Sequence, residues 1–259
     1  SLLMNIASYW YSDKLVLAMS RAKPVGEREN PELHRIIENL AITAGLPKPR
    51  LFLIDDLSPN AFATGRDQKH AVVAVTRGLL ERLDRSELEG VLAHELSHIG
   101  NRDMLISTIV VVLAGIIAII SDIFLRMTWF GGLRSNNRNN RAGSVLMAVA
   151  LIGAILAPFA ATLIRLAVSR RREFLADASG VLLTRYPEGL INALRKISAD
   201  PRPLARAHTA TAHLFFENPF KADAVPGPGQ ARRTPWIVKL FMTHPPMDDR
   251  IRALQGMNA

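Results

Sequence analysis

Apolar residues recur every three or four positions through Leu33, Ile36, Ile37, Leu40 and Ala41, which predicts an amphipathic helix. Asn30 followed by Pro31 marks its start, and Gly45 its stop. Beyond Gly45 the pattern shortens. "RLFLID" and "HAVVAVT" read as two short strands joined by the turn-rich "LSPNAFATGRDQK", whose Asn60, Ala61 and Phe62 form too apolar a run for a purely solvated loop. The strand Ala71 to Thr76 carries small and branched residues on both faces, as a covered strand does. One edge of so small a sheet stays open, and an open edge can accept an extended peptide. Ser86 with Glu89 three residues on matches a capping box and opens a helix through Leu88, Val91 and Leu92 toward Gly100. Later, "SRRREFLADASGVLLTRY" predicts a helix and Pro187 to about Ala199 a shorter one, while the Pro- and Gly-rich "KADAVPGPGQARRTP" reads as a mobile loop.

Two stretches break this pattern. Met104 to Leu125 and Val145 to Ile164 are almost continuously apolar, with Asp122 as the one formal charge in either. Twenty helical residues cover about 30 Å, the thickness of a bilayer's hydrocarbon core. Core helices of soluble domains are usually shorter and keep a polar stripe. Between the stretches "TWFGGLRSNNRNNRAG" is polar, rich in Gly and Asn, and headed by the interface-favouring Trp129, as the turn of a membrane hairpin would be. Pro158 is expected to kink the second stretch, which membrane helices tolerate. The opening "SLLMNIASYWYSDKLVLAM" reads as the tail of a membrane or juxtamembrane segment. The expected organisation is residues 1–23 as that remnant, 104–168 as the hairpin, and 24–103 with 169–259 as one discontinuous domain.

Composition narrows the chemistry. With no cysteine among 259 residues, disulfides, thiolate metal sites and cysteine nucleophiles are excluded. The formal charge of +9 raises the question of nucleic acid, but Arg165 and Arg170 to Arg172 cluster just past the second apolar stretch, where basic side chains meet anionic headgroups. No nucleic-acid motif is present, so the partners expected are peptide or protein substrates and a lipid bilayer. Arg102 and those arginines flank one end of the hairpin while Arg134, Arg138 and Arg141 lie in its turn, which gives a modest preference for a cytosolic catalytic side.

The candidate chemistry lies in "VLAHELSHIG". His94 and His98, four apart on a helix, present two imidazoles on one face and can bind one metal ion. Glu95 is rotated by one position, so it can reach a water beside the ion as general base rather than ligate. The alternative is an ordinary pair of histidines on a surface helix. A catalytic zinc needs a third protein ligand and one open position, and carboxylates or His34, His70, His208, His213 and His244 are all candidates. Glu173 and Asp177, four apart, share one helical face, so one can bind metal while the other holds a ligating histidine. The alternative for Glu173 is a surface salt bridge to the three arginines that precede it. Asp103, at the exit of the motif helix, is a further candidate acceptor.

"HELSHIGNRD", two hydrophobic spans, "EFLADASG" and "THPPMDDRI", with "PNAFATG" upstream and "ATAHLFFENPF" between, resemble the HtpX family of membrane-embedded zinc metallopeptidases, relatives of the CAAX prenyl endopeptidases. The likeness runs from about Ser8 to Leu254. It implies an α+β, mainly helical, zincin-like metallopeptidase domain with a small sheet and a transmembrane helical hairpin. It also implies Zn²⁺ on His94, His98 and Glu173, as in gluzincins, with Glu95 as base and Asp177 orienting a ligand. From the resemblance, too, come His244 as donor to the oxyanion, Arg250 in support, and Asn60, Ala61 and Phe62 in contact with the substrate backbone. Because His94 and His98 precede the hairpin and Glu173 follows it, two spans, unlike one, return the ligands to the same side. The expectation is a zinc endopeptidase on the cytosolic face of a bacterial inner membrane, acting on misfolded or membrane proteins. The rivals are a membrane zinc-binding scaffold without hydrolytic activity, and a transporter or lipid-binding module. An intact Glu95 argues against the first, and spans with scarcely a polar group argue against the second.

Overall fold

A computed structural model of the chain describes residues 14, 16–103, 105–106, 117, 120–123, 141–205, 214–217 and 245–257. The chain divides into two compact units, Ser1–Leu105 with Arg170–Ala259, and Ile106–Ser169. In the first unit four strands, β1 (Lys23–Pro24), β2 (Arg50–Ile54), β3 (Ala61–Thr64) and β4 (Val72–Thr76), form one mixed sheet of order β1-β2-β4-β3. β2 and β4 run parallel, and β1 and β3 each add antiparallel. The expected turn between β2 and β4 thus contains a strand of its own. Its four residues among Asn, Ser and Gly carry little local strand signal, and pairing with β4 supplies what propensity does not. The hydrophobic β4 is interior and buried along its whole length, so β3 forms the sheet edge nearest the chemistry.

Helix α1 (Pro31–Ala44) starts where Asn30 Oδ1 accepts the Leu33 N–H at 3.0 Å and stops at Gly45, whose φ of 66° suits a residue without a Cβ. After the short α2 (Arg77–Arg82) comes α3 (Arg85–Gly100), which carries the histidine motif. Its capping box is Asp84 with Glu87, not Ser86 with Glu89: Asp84 Oδ1 accepts the Glu87 N–H at 3.0 Å and Glu87 Oε2 accepts the Asp84 N–H at 2.9 Å. Ser86 donates its hydroxyl to Asp84 instead. The two patterns are offset by two residues, and the one adopted uses the buried Glu87, which Lys196 also bonds at 2.6 Å, whereas Glu89 turns to Arg85 at 3.2 Å. Helices α4 (Arg141–Thr184), α5 (Pro187–Ala199) and α6 (Met247–Gln255) follow. α4 takes in the second apolar stretch and is helical without a break through Pro158. Among the described residues no helix is long and apolar enough to cross a membrane. Most of the first apolar stretch, and the mobile loop expected at 221–235, lie outside the described residues.

One face of the sheet, with Val73 and Val75, closes a core with the apolar faces of α1, α3 and α5. The other, with Phe62, Val72 and Ala74, packs against Val16, Leu17 and Phe215. α3 and α5 touch at backbone distance: a Cβ on Gly90 would stand 2.7 Å from the Leu190 nitrogen. Because that neighbour is main chain and cannot rotate away, Gly90→Ala is expected to cost about 1–3 kcal/mol, read as a lowered denaturation midpoint. The far end of α5 is held by Asp200, a fully buried carboxylate bonded to Arg82 at 2.7 Å and to Arg202 at 2.9 Å. The Arg202 hydrogen bond, set against burial and aided by the Arg82 charge, holds Asp200 at about 2 instead of the ordinary 3.8. A carboxyl depressed in the folded state stabilises the fold above its unfolded pKa and loses that contribution as pH falls through its folded one. Both arginines are partly exposed, so Asp200→Asn is expected to cost about 1–2 kcal/mol at pH 7 after discounting for solvent screening. Urea titrations of both proteins should converge between pH 4 and pH 2.

Candidate active site

α3 is buried almost all round: Val91, Leu92, Leu96 and Ile99 enter the core, while His94 and Glu95 are equally enclosed on its polar side. His98, one turn beyond His94, keeps 19% of its side chain exposed against 1% for His94. The two Nε2 atoms lie 3.0 Å apart, with the rings at 90°. α4 brings Glu173 to both, Oε2 at 3.7 Å from His94 Nε2 and Oε1 at 3.7 Å from His98 Nε2. The approach depends on Gly180, two turns along the same face of α4, where a Cβ would stand 3.0 Å from the His94 nitrogen and 3.2 Å from its Cα. A larger residue there would push α4, and with it Glu173, away from α3.

Each histidine is held from behind. Asp177 Oδ1 lies 2.8 Å from His94 Nδ1, and Asp103 Oδ2 lies 2.6 Å from His98 Nδ1. An ionised carboxylate can only accept, so both Nδ1 atoms donate; with both imidazoles neutral, as metal ligands are, their Nε2 lone pairs point into the same small space. Two acceptors 3.0 Å apart repel unless a cation lies between them. One ligand atom from each of His94, His98 and Glu173 falls within 4.8 Å of the others. In a tetrahedral zinc site, bonds of about 2.0–2.1 Å put ligand nitrogens roughly 3.3 Å apart. The donor set, its spacing and the carboxylates behind it therefore fit zinc.

Charge is graded across the site. Burial, reinforced by the Arg250 charge, depresses His94 to about 4 despite its bond to Asp177. Burial also opposes protonation of His98, but the Asp103 hydrogen bond and the charges of Glu173 and Glu95 outweigh it and lift His98 to about 9. Burial, reinforced by the Glu173 charge, raises Glu95 to about 7 against the opposing pull of His98 and of the backbone N–H of Ala63 on β3. For Asp177 burial pulls upward, yet Arg250 prevails and holds the carboxyl below its usual range.

Arg250 on α6 is fully buried. Its Nε and Nη2 donate to Asp177 at 2.8 and 2.6 Å, and Nη1 lies 3.8 Å from Glu173 Oε2. The guanidinium stacks over Phe216 at 4.7 Å, and Phe216 meets the His94 ring edge-on at 5.0 Å. Phe216 lies in "TAHLFFENPF", which in sequence reads as ordinary packing or as a groove lining, with nothing in its spacing to point at His94. The Asp103 contact had a faint signal, an acid at a helix exit. Asn60, Ala61 and Phe62 are all fully buried: Phe216 N–H bonds Ala61 O at 2.8 Å, Asn60 Nδ2 bonds Glu217 O at 3.0 Å, and Phe62 packs on Phe215. His34 bonds Val25 O and His70 bonds Asp67, both apart from the three ligands. His208, His213 and His244 lie outside the described residues.

The chain is 48% identical over 257 residues to the protease HtpX homolog of Pyrococcus furiosus, covering 98% of this chain and 83% of that protein. It is 45% identical to the protease HtpX homolog of Thermoanaerobacter pseudethanolicus, with 98% and 81% covered. Its fold is similar to the crystal structure of S. mikatae Ste24p, with a TM-score of 0.63 at 19% identity, covering 98% of this chain and 56% of that one. The model of peptidase family M48 matches residues 27–258. With nearly the whole length matched by that model, and by relatives of which it spans more than four-fifths, the chain belongs to peptidase family M48 and is a zinc-dependent metallopeptidase.

Proposed function

We propose that this metallopeptidase is an endopeptidase whose zinc is held by His94, His98 and Glu173. The observation that carries the reading is the convergence of those three donors within 4.8 Å, each histidine backed by its own carboxylate. Bound there, zinc supplies a Lewis acid that polarises the scissile carbonyl and eases ionisation of a water. Glu95, next to the ligands and buried with them, takes the proton of the attacking water and returns one to the leaving amine. Asp177 fixes the His94 ring, and Arg250 fixes Asp177. His244 is the candidate donor to the oxyanion, as the family resemblance implies. The substrate runs extended along β3. Its open edge lies beyond the Ala63 N–H, which faces Glu95, because Phe215 to Glu217 already cover Asn60, Ala61 and Phe62.

The same reading assigns residues 104–168 as a membrane hairpin anchoring the domain to a bacterial inner membrane, with the site facing the cytosol and misfolded or membrane proteins as substrates. It is supported by the apolar runs and their flanking arginines. A non-hydrolytic scaffold would close its metal site, whereas the exposed flank of His98 leaves this one accessible. The test is cleavage of casein in detergent after chelation and again after adding one equivalent of zinc. Cleavage is expected to vanish and return, and zinc stoichiometry to fall in His94→Ala and Glu173→Ala. Undiminished zinc content in both variants would remove this ligand assignment.

A further inference from the structure

β3 ends at Thr64, and the next residue, Gly65, with a φ of 140°, swings the chain into the loop 66–70; any Cβ there would meet His70 O at 2.5 Å. Between that loop and the end of α3 lies a cavity of about 430 Å³ bordered by Gly65, Arg66, Lys69, His98, Ile99 and Arg102. A smaller cavity, about 220 Å³ at Pro31, Glu32, Arg35 and Arg85, borders none of the residues of the site. The larger one adjoins the metal site on the side where His98 is exposed.

Its charge is lopsided. Arg66, Lys69 and Arg102 face one carboxylate, Asp67, so three positive charges against one negative leave two uncompensated. Asp67 is itself engaged, accepting from His70 Nδ1 at 2.7 Å while Arg66 Nη2 meets His70 Nε2 at 2.6 Å. Among the described residues no carboxylate pairs with Lys69 or Arg102. Ile99, Ala71 and Leu105 give the same cavity an apolar lining, suited to the methylenes that carry a charged head.

The geometry points to this cavity as the subsite that selects an acidic substrate side chain, Asp or Glu, close to the scissile bond, with Lys69 and Arg102 as the specificity-determining residues. The inference rests on the extended peptide path proposed above. A strand added to β3 past the Ala63 N–H follows that edge toward Gly65, and a side chain projecting beyond it enters the cavity beside His98. An Asp or Glu there meets two cations that no carboxylate among the described residues pairs; a Lys or Arg there meets like charge.

The test uses the zinc-loaded full chain in detergent and a quenched fluorescent peptide series, with Glu, Gln and Lys scanned through three positions on either side of the scissile bond. At one position Glu is expected to exceed Lys in kcat/KM by roughly tenfold or more, through KM, and to lose that advantage as salt rises. Lys69→Glu with Arg102→Glu should invert the order of Glu and Lys at that position alone. Each single variant should move it partway, so a double variant that fails to fold leaves the question answerable. Zinc content and thermal midpoint are read alongside. Cleavage of the Gln peptides without preference between Glu and Lys in wild-type enzyme overturns the subsite and leaves the peptidase reading standing. An unchanged preference in the variants overturns it as well. Indifference to substrate charge together with weaker binding of the variants to phosphatidylglycerol vesicles reassigns the cluster to lipid headgroups and likewise overturns it.

Discussion

Glu95→Gln is expected to lower kcat/KM for casein peptides by roughly 10²–10⁴-fold, the range spanned by removal of a general acid–base group. Zinc stoichiometry and the unfolding midpoint should remain those of the wild type. Gln is nearly isosteric with Glu and keeps a carbonyl oxygen that can face the Ala63 N–H, so the packing around this buried position survives. What it cannot do is take a proton. The pair of readouts matters because Glu95 adjoins His94 in sequence and a disturbed helix would also abolish cleavage. Zinc measured per chain, with peptide cleavage followed at saturating zinc, separates the two. Equal cleavage by both proteins would remove Glu95 from the base role, and loss of zinc with activity would recast it as a structural contributor.

The second large effect is expected at Arg250. Arg250→Met leaves Asp177 as a buried carboxylate that has lost its counter-charge, and breaking such a pair from one side typically costs 3–5 kcal/mol, so about that loss is expected in denaturant titrations. Freed of two hydrogen bonds, Asp177 no longer fixes the His94 ring, and zinc affinity by chelator competition should fall roughly 10–100-fold. Arg250→Met combined with Asp177→Asn should cost less than the sum of the two single changes, since the neutral amide removes the stranded charge. Strict additivity would mean that the pair does not act as a unit. Arg250→Lys should also fall short of wild type, because an ammonium cannot make the paired contacts of the guanidinium fork.

Much of the site was legible because it is local. His94, Glu95 and His98 belong to one helix, and the helical period alone puts the imidazoles together and turns the glutamate aside. The same period pairs Glu173 with Asp177 on one face of α4. The α1 boundaries were equally plain, since Asn30, Pro31 and Gly45 act on the backbone beside them. The α3 cap is ambiguous in the sequence, because two overlapping patterns satisfy the same rule, and the structure takes Asp84 with Glu87, which Lys196 also bonds. β3 was overlooked for a related reason: a strand of four residues owes its existence to its neighbour.

The chain's order of residues by itself determined which side chains could serve a metal, and which helix faces would carry them. Only the tertiary structure decided that α4 meets α3 at the bare backbone of Gly180, and that Phe216 and Arg250 close over His94. Contacts within one helix follow from a fixed rise and rotation per residue, so spacing reveals them. Contacts between segments tens of residues apart depend on shape, close packing and the pairing of buried charge, none of which leaves a periodic mark in the sequence.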